Sequence, residues 1–156
     1  MVQESQIKNK RSEIGPIELS SVDLLLVSIG DEQVFVPSSE IKEVLRPKAL
    51  TPVPMGPEHV IGLANIHGQI VCIIDAGGVS SLPLCHKDVT HSTRFLLLRH
   101  PVMHVGIWVD HVHKMQQVDA KVLAKGNNIG DSVRHIEVDG VTYDFLQCSK
   151  LLHVST

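Results

Sequence analysis

The sequence predicts an all-β fold with short helices. Three observations carry that expectation. Short apolar runs rich in Val and Ile recur along the chain, Gly, Pro, Asn and Asp punctuate them, and no long 3.6-residue period or internal repeat is found. Many short strands with closely spaced turns favour a small β-barrel, or a pair of them, over a helical bundle.

Residues 1–18 show no sustained period, cluster Lys8, Lys10 and Arg11, and meet a Gly15-Pro16 breaker. That predicts a flexible tail, with the folded domain over residues 19–156. Val22–Ile29 and Val34–Val36 flank Gly30-Asp31-Glu32-Gln33 and read as two strands joined by a short loop. Pro37-Ser38-Ser39-Glu40 offers a hydroxyl N-cap before Ile41, Val44 and Leu45, whose i, i+3, i+4 spacing predicts one or two helical turns stopped by Pro47. Two prolines between Leu50 and Met55 restrict that stretch to an extended segment or a sheet edge.

Residues 60–75 are two apolar runs hinged on Asn65-Ile66-His67-Gly68 and closed by Asp75, a hairpin in which Gly supplies positive φ at low cost. Gly77–Thr93 mixes Gly, Ser, Pro and His and reads as a surface loop. Arg94–Arg99 and Val102–Asp110 form another hairpin across His100-Pro101, and Val112–Val118 continues as a strand. Asp119–Arg134 carries a weak helical signal at Val122 and Leu123 before Gly126-Asn127-Asn128. Ile136–Val138 and Val141–Leu146 flank Asp139-Gly140, a dipeptide suited to a type I′ turn, and a brief helix from Ser149 closes the fold.

At 156 residues the chain has the size of one domain, able to bury roughly two-thirds of the surface its unfolded form exposes. A net charge of −3 gives no broad attraction to phosphate backbones or anionic lipid, and an aromatic share of 3% leaves few rings for stacking bases, so nucleic acid is an unsuitable partner. No apolar run approaches the length of a membrane span, and Met1–Glu13 lacks the apolar core of a secretory signal, which predicts a cytoplasmic protein without membrane insertion. Cys72, Cys85 and Cys148 are odd in number and lack CxxC spacing, so reduced thiols are expected.

Ten histidines invite a metal site. His111 and His113 would share one face of a strand, and His100, His104 or the Cys85-His86 pair could add a ligand. The chain has no HExxH, CxxC or facial carboxylate pattern, and solvated or packed imidazoles are the favoured reading, with no metal or other cofactor expected. A nucleophile elbow, a Walker sequence and a GxGxxG turn are all missing, so the residues offer no pattern for nucleophilic catalysis or nucleotide binding. Asp75 and Asp110 each end an apolar run, where capping of backbone amides is the simplest role. Trp108 alternates with Ile107 and Val109, and a lone Trp in a domain this poor in aromatics is more often core than interface.

From Val22 to Leu152 the chain resembles the CheW-like domain family of bacterial chemosensory adaptors. Family members commonly read Asn-Leu-Arg-Gly followed by Ile-Val-Pro-Val-Ile-Asp-Leu. Here Asn65-Ile66-His67-Gly68 and Ile70-Val71-Cys72-Ile73-Ile74-Asp75 occupy those positions. Val105–Val112 resembles the family's Gly-x-x-Val-Asp-x-Val strand, and Phe145–Leu152 its closing strand and helix.

The resemblance implies two small SH3-like five-stranded β-barrels packed on a shared core. It also implies a non-enzymatic adaptor that binds the regulatory domain of a CheA-like histidine kinase and the cytoplasmic tip of a chemoreceptor. Partner-binding residues would be Ile41, Glu43, Val60, Gly62, Asn65, His67 and Gly68. His67 stands where the family carries Arg, replacing a permanently charged fork with a ring whose charge depends on pH, and a Glu43–His67 pair is expected, with pH-dependent partner binding as its consequence. Gln147 also departs from the family's Asp, and 119–134 contains none of the aromatic residues that relatives use in ring contacts with kinase domains. Those departures leave open an accessory or sequestering protein that binds one partner only, self-association through barrel edges, or a His-rich metal-binding β-barrel.

Overall fold

The computed structural model describes residues 21–154, so the tail expected over residues 1–18 lies outside the described residues. Leu24-Leu25-Leu26-Val27 places apolar side chains at successive positions of β1 (Ser21–Ile29), and all four are buried, so neither face of the strand meets water there. β1 pairs antiparallel with β2 (Glu32–Pro37) across a Gly30-Asp31 turn, and on its other side with β8 (His111–Asp119). Gly30 sits at φ +61°, and a Cβ there would also stand 2.7 Å from the Leu84 carbonyl oxygen, so both backbone and neighbour require glycine.

The first sheet has six strands in the order β8-β1-β2-β11-β10-β9, with β9 at Asn127–Asn128, β10 at Val133–Val138 and β11 at Val141–Leu146. β11 joins β2 in parallel at Asp144↔Val34 and Phe145↔Phe35. The second sheet has five strands in the order β3-β6-β7-β5-β4: β3 Ile41–Leu45, β6 Arg94–Leu98, β7 Val105–Val109, β5 Gln69–Ile74 and β4 Val60–Ile66. Two short helices complete the fold, α1 (Ala120–Ala124), capped by the Asp119 carboxylate on the Lys121 amide at 2.9 Å, and α2 (Cys148–Val154).

Alternation along β1 separates two cores. Leu24 and Leu26 meet Phe35, Val118, Ile136, Val138 and Phe145 on one side. Leu25, Val27 and Ile29 enter a larger core on the other, shared with Ile73, Leu96, Ile107 and Trp108 of the second sheet.

Several expectations are corrected. Ile41–Leu45 is strand, not helix. Ser38–Glu40 makes one 3₁₀ turn without a side-chain cap, and the i, i+4 positions Ile41 and Leu45 fit a strand face equally well, so pairing with β6 decides. The first sheet has six strands, not five, because the residues of β9 add to β10. β7 starts at Val105 and β10 at Val133, not at 102 and 136. Trp108 is core, in keeping with the expectation for a lone Trp, and all five residues of β7 are buried, so alternation marks no outer face there.

The stretch after β5 is docked rather than loose. Buried Asp75 accepts hydrogen bonds from the Gly77 and Cys85 amides, both at 3.1 Å, and from Lys87 Nζ at 2.9 Å, while Leu82 and Cys85 are buried. Asp110 accepts from the Gly30 amide at 2.7 Å and the His86 amide at 3.1 Å. The backbone-capping role expected of both carboxylates is therefore observed, but it reaches across the fold as well as along the chain.

The three cysteines are free thiols. Burial pushes the Cys85 thiol up to about 12, with the negative charge of Asp75 adding to it, and burial also raises Cys148 and, less completely covered, Cys72. Because the folded value of Cys85 exceeds the ordinary 9.0, its contribution to stability is full below that value and is lost as pH rises toward about 12. Urea midpoints measured from about pH 8 to about pH 11 should fall, and Cys85→Ala should flatten part of that fall; an unchanged slope would assign it to other groups. Asp75→Ala strips the acceptor from two amides and Lys87, and a loss of about 2–4 kcal/mol in the same unfolding assay is expected.

Candidate functional site

The β4–β5 ladder closes at Ile66↔Gln69, leaving His67-Gly68 as a two-residue turn with φ of 54° and 81°. Positive φ at both positions is the type I′ pattern, whose twist matches that of the strands. Asn65 Oδ1 accepts from the Gly68 amide at 3.1 Å, closing the turn with a side chain. The turn holds the His67 ring outward, with 67% of its side chain exposed.

Glu43 on β3 meets that ring, with His67 Nε2 lying 3.1 Å from Oε1 and 3.2 Å from Oε2. β3 and β4 are opposite edges of the five-stranded sheet, so the pair shows that the sheet curls until its edges approach. A bulge between Ile41 and Glu43 separates a core residue from a surface one; Ile41 is buried in the larger core, whereas Glu43 is partly exposed. A contact this exposed is worth about 0–1 kcal/mol, so it orients the ring rather than stabilising the fold.

Gly62 acts through backbone clearance. A Cβ there would stand 3.0 Å from the Thr51 carbonyl oxygen and 3.1 Å from Leu50 Cβ. Its absence lets the segment after β3 cross against β4, where Thr51 and Leu63 exchange two hydrogen bonds of 2.8 Å. Val60 stands apart, since it pairs with Ile74 at the far end of the hairpin, roughly 20 Å from the turn by strand rise. There it lines a mostly apolar cavity of about 430 Å³ with His59, Cys72, Ile74, Met103 and Leu151.

The structure thus brings Glu43, Asn65, His67 and Gly68 together at one exposed end of the sheet. Ile41 and Gly62 lie beneath as shaping residues, and Val60 belongs to a different surface. Sequence reading missed the apolar side chains flanking that end: Val44 beside Glu43 and Ile70 opposite Asn65 are both exposed. Val53 and Met55 are exposed too, but the antiparallel bridge Thr51↔Leu63 carries them toward the Val60 end of β4. Met55 is fully exposed at φ 59°, an unfavourable conformation for a side chain with no contact to support it. The signal was present in the sequence as apolar residues on the outward side of the predicted elements, but assigning β3 to a helix hid Val44.

The histidines scatter in role. His100 Nδ1 accepts from the Val102 and Met103 amides at 3.0 and 2.8 Å, which makes it a turn cap. His111 and His113 do lie side by side, with ring centroids 4.4 Å apart and Ser28 Oγ 2.7 Å from His113 Nε2. Among the described residues no group of three or more His, Cys, Asp or Glu side chains is arranged to hold a metal ion.

Comparison with known proteins gives a consistent set of likenesses. The family model described as CheW-like domain matches residues 23–152. Chemotaxis protein CheW of Helicobacter pylori is 28% identical over 108 residues, 65% of this chain and 64% of that protein. Chemotaxis protein CheA of Cereibacter sphaeroides is 29% identical over 115 residues, 71% of this chain but 16% of that much longer protein. The chain therefore spans less than two-thirds of either relative. The crystal structure of scaffolding protein TtCheW from Thermoanaerobacter tengcongensis matches with a TM-score of 0.68 at 17% identity, covering 81% of this chain and 84% of that one, and speaks for the fold.

At the turn itself, nothing lies within 4 Å of a Cβ added to Gly68, so Gly68→Ala should lower stability by about 1 kcal/mol through φ alone. Gly68→Asn, which tolerates the left-handed region, should recover most of that loss. Thermal denaturation of both variants checks this, and equal losses would show that φ is not the constraint.

Proposed function

The chain belongs to the CheW-like domain family, and from that premise we propose that it is a non-enzymatic adaptor in the cytoplasm, coupling methyl-accepting receptors to a CheA-like histidine kinase. The observation that carries this reading is the extent of the family match, residues 23–152, which takes in both sheets and α1. The names of the relatives, CheW and CheA, and the description of the solved neighbour as a scaffolding protein support the same system. No helix among the described residues is long and apolar enough to cross a membrane, and contact with a receptor is assigned to the receptor's cytoplasmic tip.

An adaptor needs surfaces of defined shape, not reactive side chains. The exposed end of the five-stranded sheet has the composition of one. Val44 and Ile70 offer apolar area, and Glu43, Asn65 and His67 form a polar rim that fixes orientation. In this reading Glu43, Asn65, His67 and Gly68 contact partners, Ile41 and Gly62 set the shape beneath them, and Val60 serves the neighbouring cavity. His67 retunes the site: an Arg fork would engage both Glu43 oxygens with parallel bonds, whereas Nε2 alone faces both of them here.

The test is capture from the cytosol of the source organism by wild-type chain and by His67→Arg, with captured proteins identified by mass spectrometry. Recovery of both a CheA-like kinase and a chemoreceptor is expected, with more of each on the His67→Arg chain. Recovery of one partner alone would make the protein a sequestering relative, and recovery of neither by either form would overturn the adaptor reading.

A further inference from the structure

Away from the partner-binding end, the start of β6 and the start of β8 border an open cavity of about 210 Å³, its lining of mixed polarity, formed by His91, Ser92, Arg94, His111 and Val112. The adaptor reading gives these residues no task. Their placement is nevertheless specified. The Thr93 hydroxyl accepts from the Thr90 amide at 2.9 Å, the Thr90 hydroxyl accepts from the Ser92 amide at 3.1 Å, and the Thr93 amide donates to the Thr90 carbonyl at 3.2 Å. This turn fixes His91 and Ser92 on one wall. Arg94 Nη1 donates to the carbonyls of His91 at 3.0 Å and Thr93 at 2.7 Å, which fixes the plane of the guanidinium.

The rest of that fork is uncommitted, since Arg94 Nε and Nη2 have no hydrogen-bond acceptor among the described residues. A guanidinium cannot lose its proton in a protein, so the cavity permanently holds a positive charge. No carboxylate lines it. Asp110, next to His111 in the chain, is turned away, with its oxygens accepting from the Gly30 and His86 amides. On the other side the lining is His111 and Val112 of β8, an edge strand of its sheet.

One fixed cation, two histidines and a serine, with no carboxylate in the lining, disfavour a metal ion and favour an anion over an uncharged ligand, Val112 being the one apolar residue. The geometry points to a binding site for a small tetrahedral oxyanion of the phosphate class, with Arg94 as its charged fork and His91, Ser92 and His111 as further donors. Its source is either free inorganic phosphate or the phosphoryl group of a small monoester. The site stands independently of the adaptor reading.

Titration of the ¹⁵N-labelled chain with inorganic phosphate, with O-phosphoserine, and with sodium chloride at matched ionic strength tests this by NMR. Saturable shifts of the Ser92, Arg94 and His111 amides are expected with the phosphate compounds and not with chloride. Arg94→Gln and His111→Gln should each weaken binding about tenfold, the loss of one charge-assisted contact, while His100→Gln at the other end of β6 leaves it unchanged. His111 is exposed on an edge strand, so its variant retains the fold should Arg94→Gln disturb the turn. Tighter binding of O-phosphoserine names a monoester as the ligand, and tighter or equal binding of phosphate names the free anion. No saturable shift with either compound, or equal affinity in wild type and His111→Gln, would overturn the site.

Discussion

The structure depends on the double burial of β1. Its side chains go alternately to two cores, Leu24 and Leu26 to the smaller and Leu25, Val27 and Ile29 to the larger, and both are completed by strands distant in the chain. A slip of one residue would move every side chain of the strand into the wrong core. That register is therefore fixed by packing on two sides, and the turn at Gly30, the pairing with β8 and the seating of the second sheet all follow from it. The five-stranded sheet, anchored through the larger core, can present its curled edge pair without that edge having to stabilise anything.

Much of this was legible locally. The two tight turns, His67-Gly68 and Asp139-Gly140, announced themselves by residue type, because positive φ at successive positions is a property of the turn alone. The runs around them could only be strands, and Asp75 and Asp110 could be read as amide caps from their positions at run ends. Ile41–Leu45 could not be read, since its spacing satisfies helix and strand alike and β6, lying some fifty residues later, makes the choice. The parallel contacts of β5 with β7 and of β2 with β11 leave no local mark in sequence either.

The candidate site divides the same way. Asn65 and Gly68 follow from turn chemistry, but Glu43 and His67 are 24 residues apart on opposite sheet edges, and only the likeness to a family joined them beforehand. Glu40 illustrates the limit: its carboxylate accepts from the Cys148 amide at 2.6 Å and the Ser149 hydroxyl at 3.0 Å, across more than a hundred residues. Sequence offered Glu40 a helix start of its own, whereas the fold uses it to cap α2.

The order of strands also bears on how the chain is made. The five-stranded sheet draws on one continuous stretch, Ile41 to Val109, while the six-stranded sheet joins Ser21–Pro37 to partners that begin only at His111. On the ribosome, Leu24, Leu26 and Phe35 emerge long before Val118, Ile136 and Phe145 exist to cover them. The middle of the protein can close while its beginning is still waiting, and the early apolar strands must be shielded from wrong pairings until β11 arrives. A fold whose β1 and β2 are covered only by strands made after β7 thus leaves their apolar side chains waiting while the five-stranded sheet is already complete.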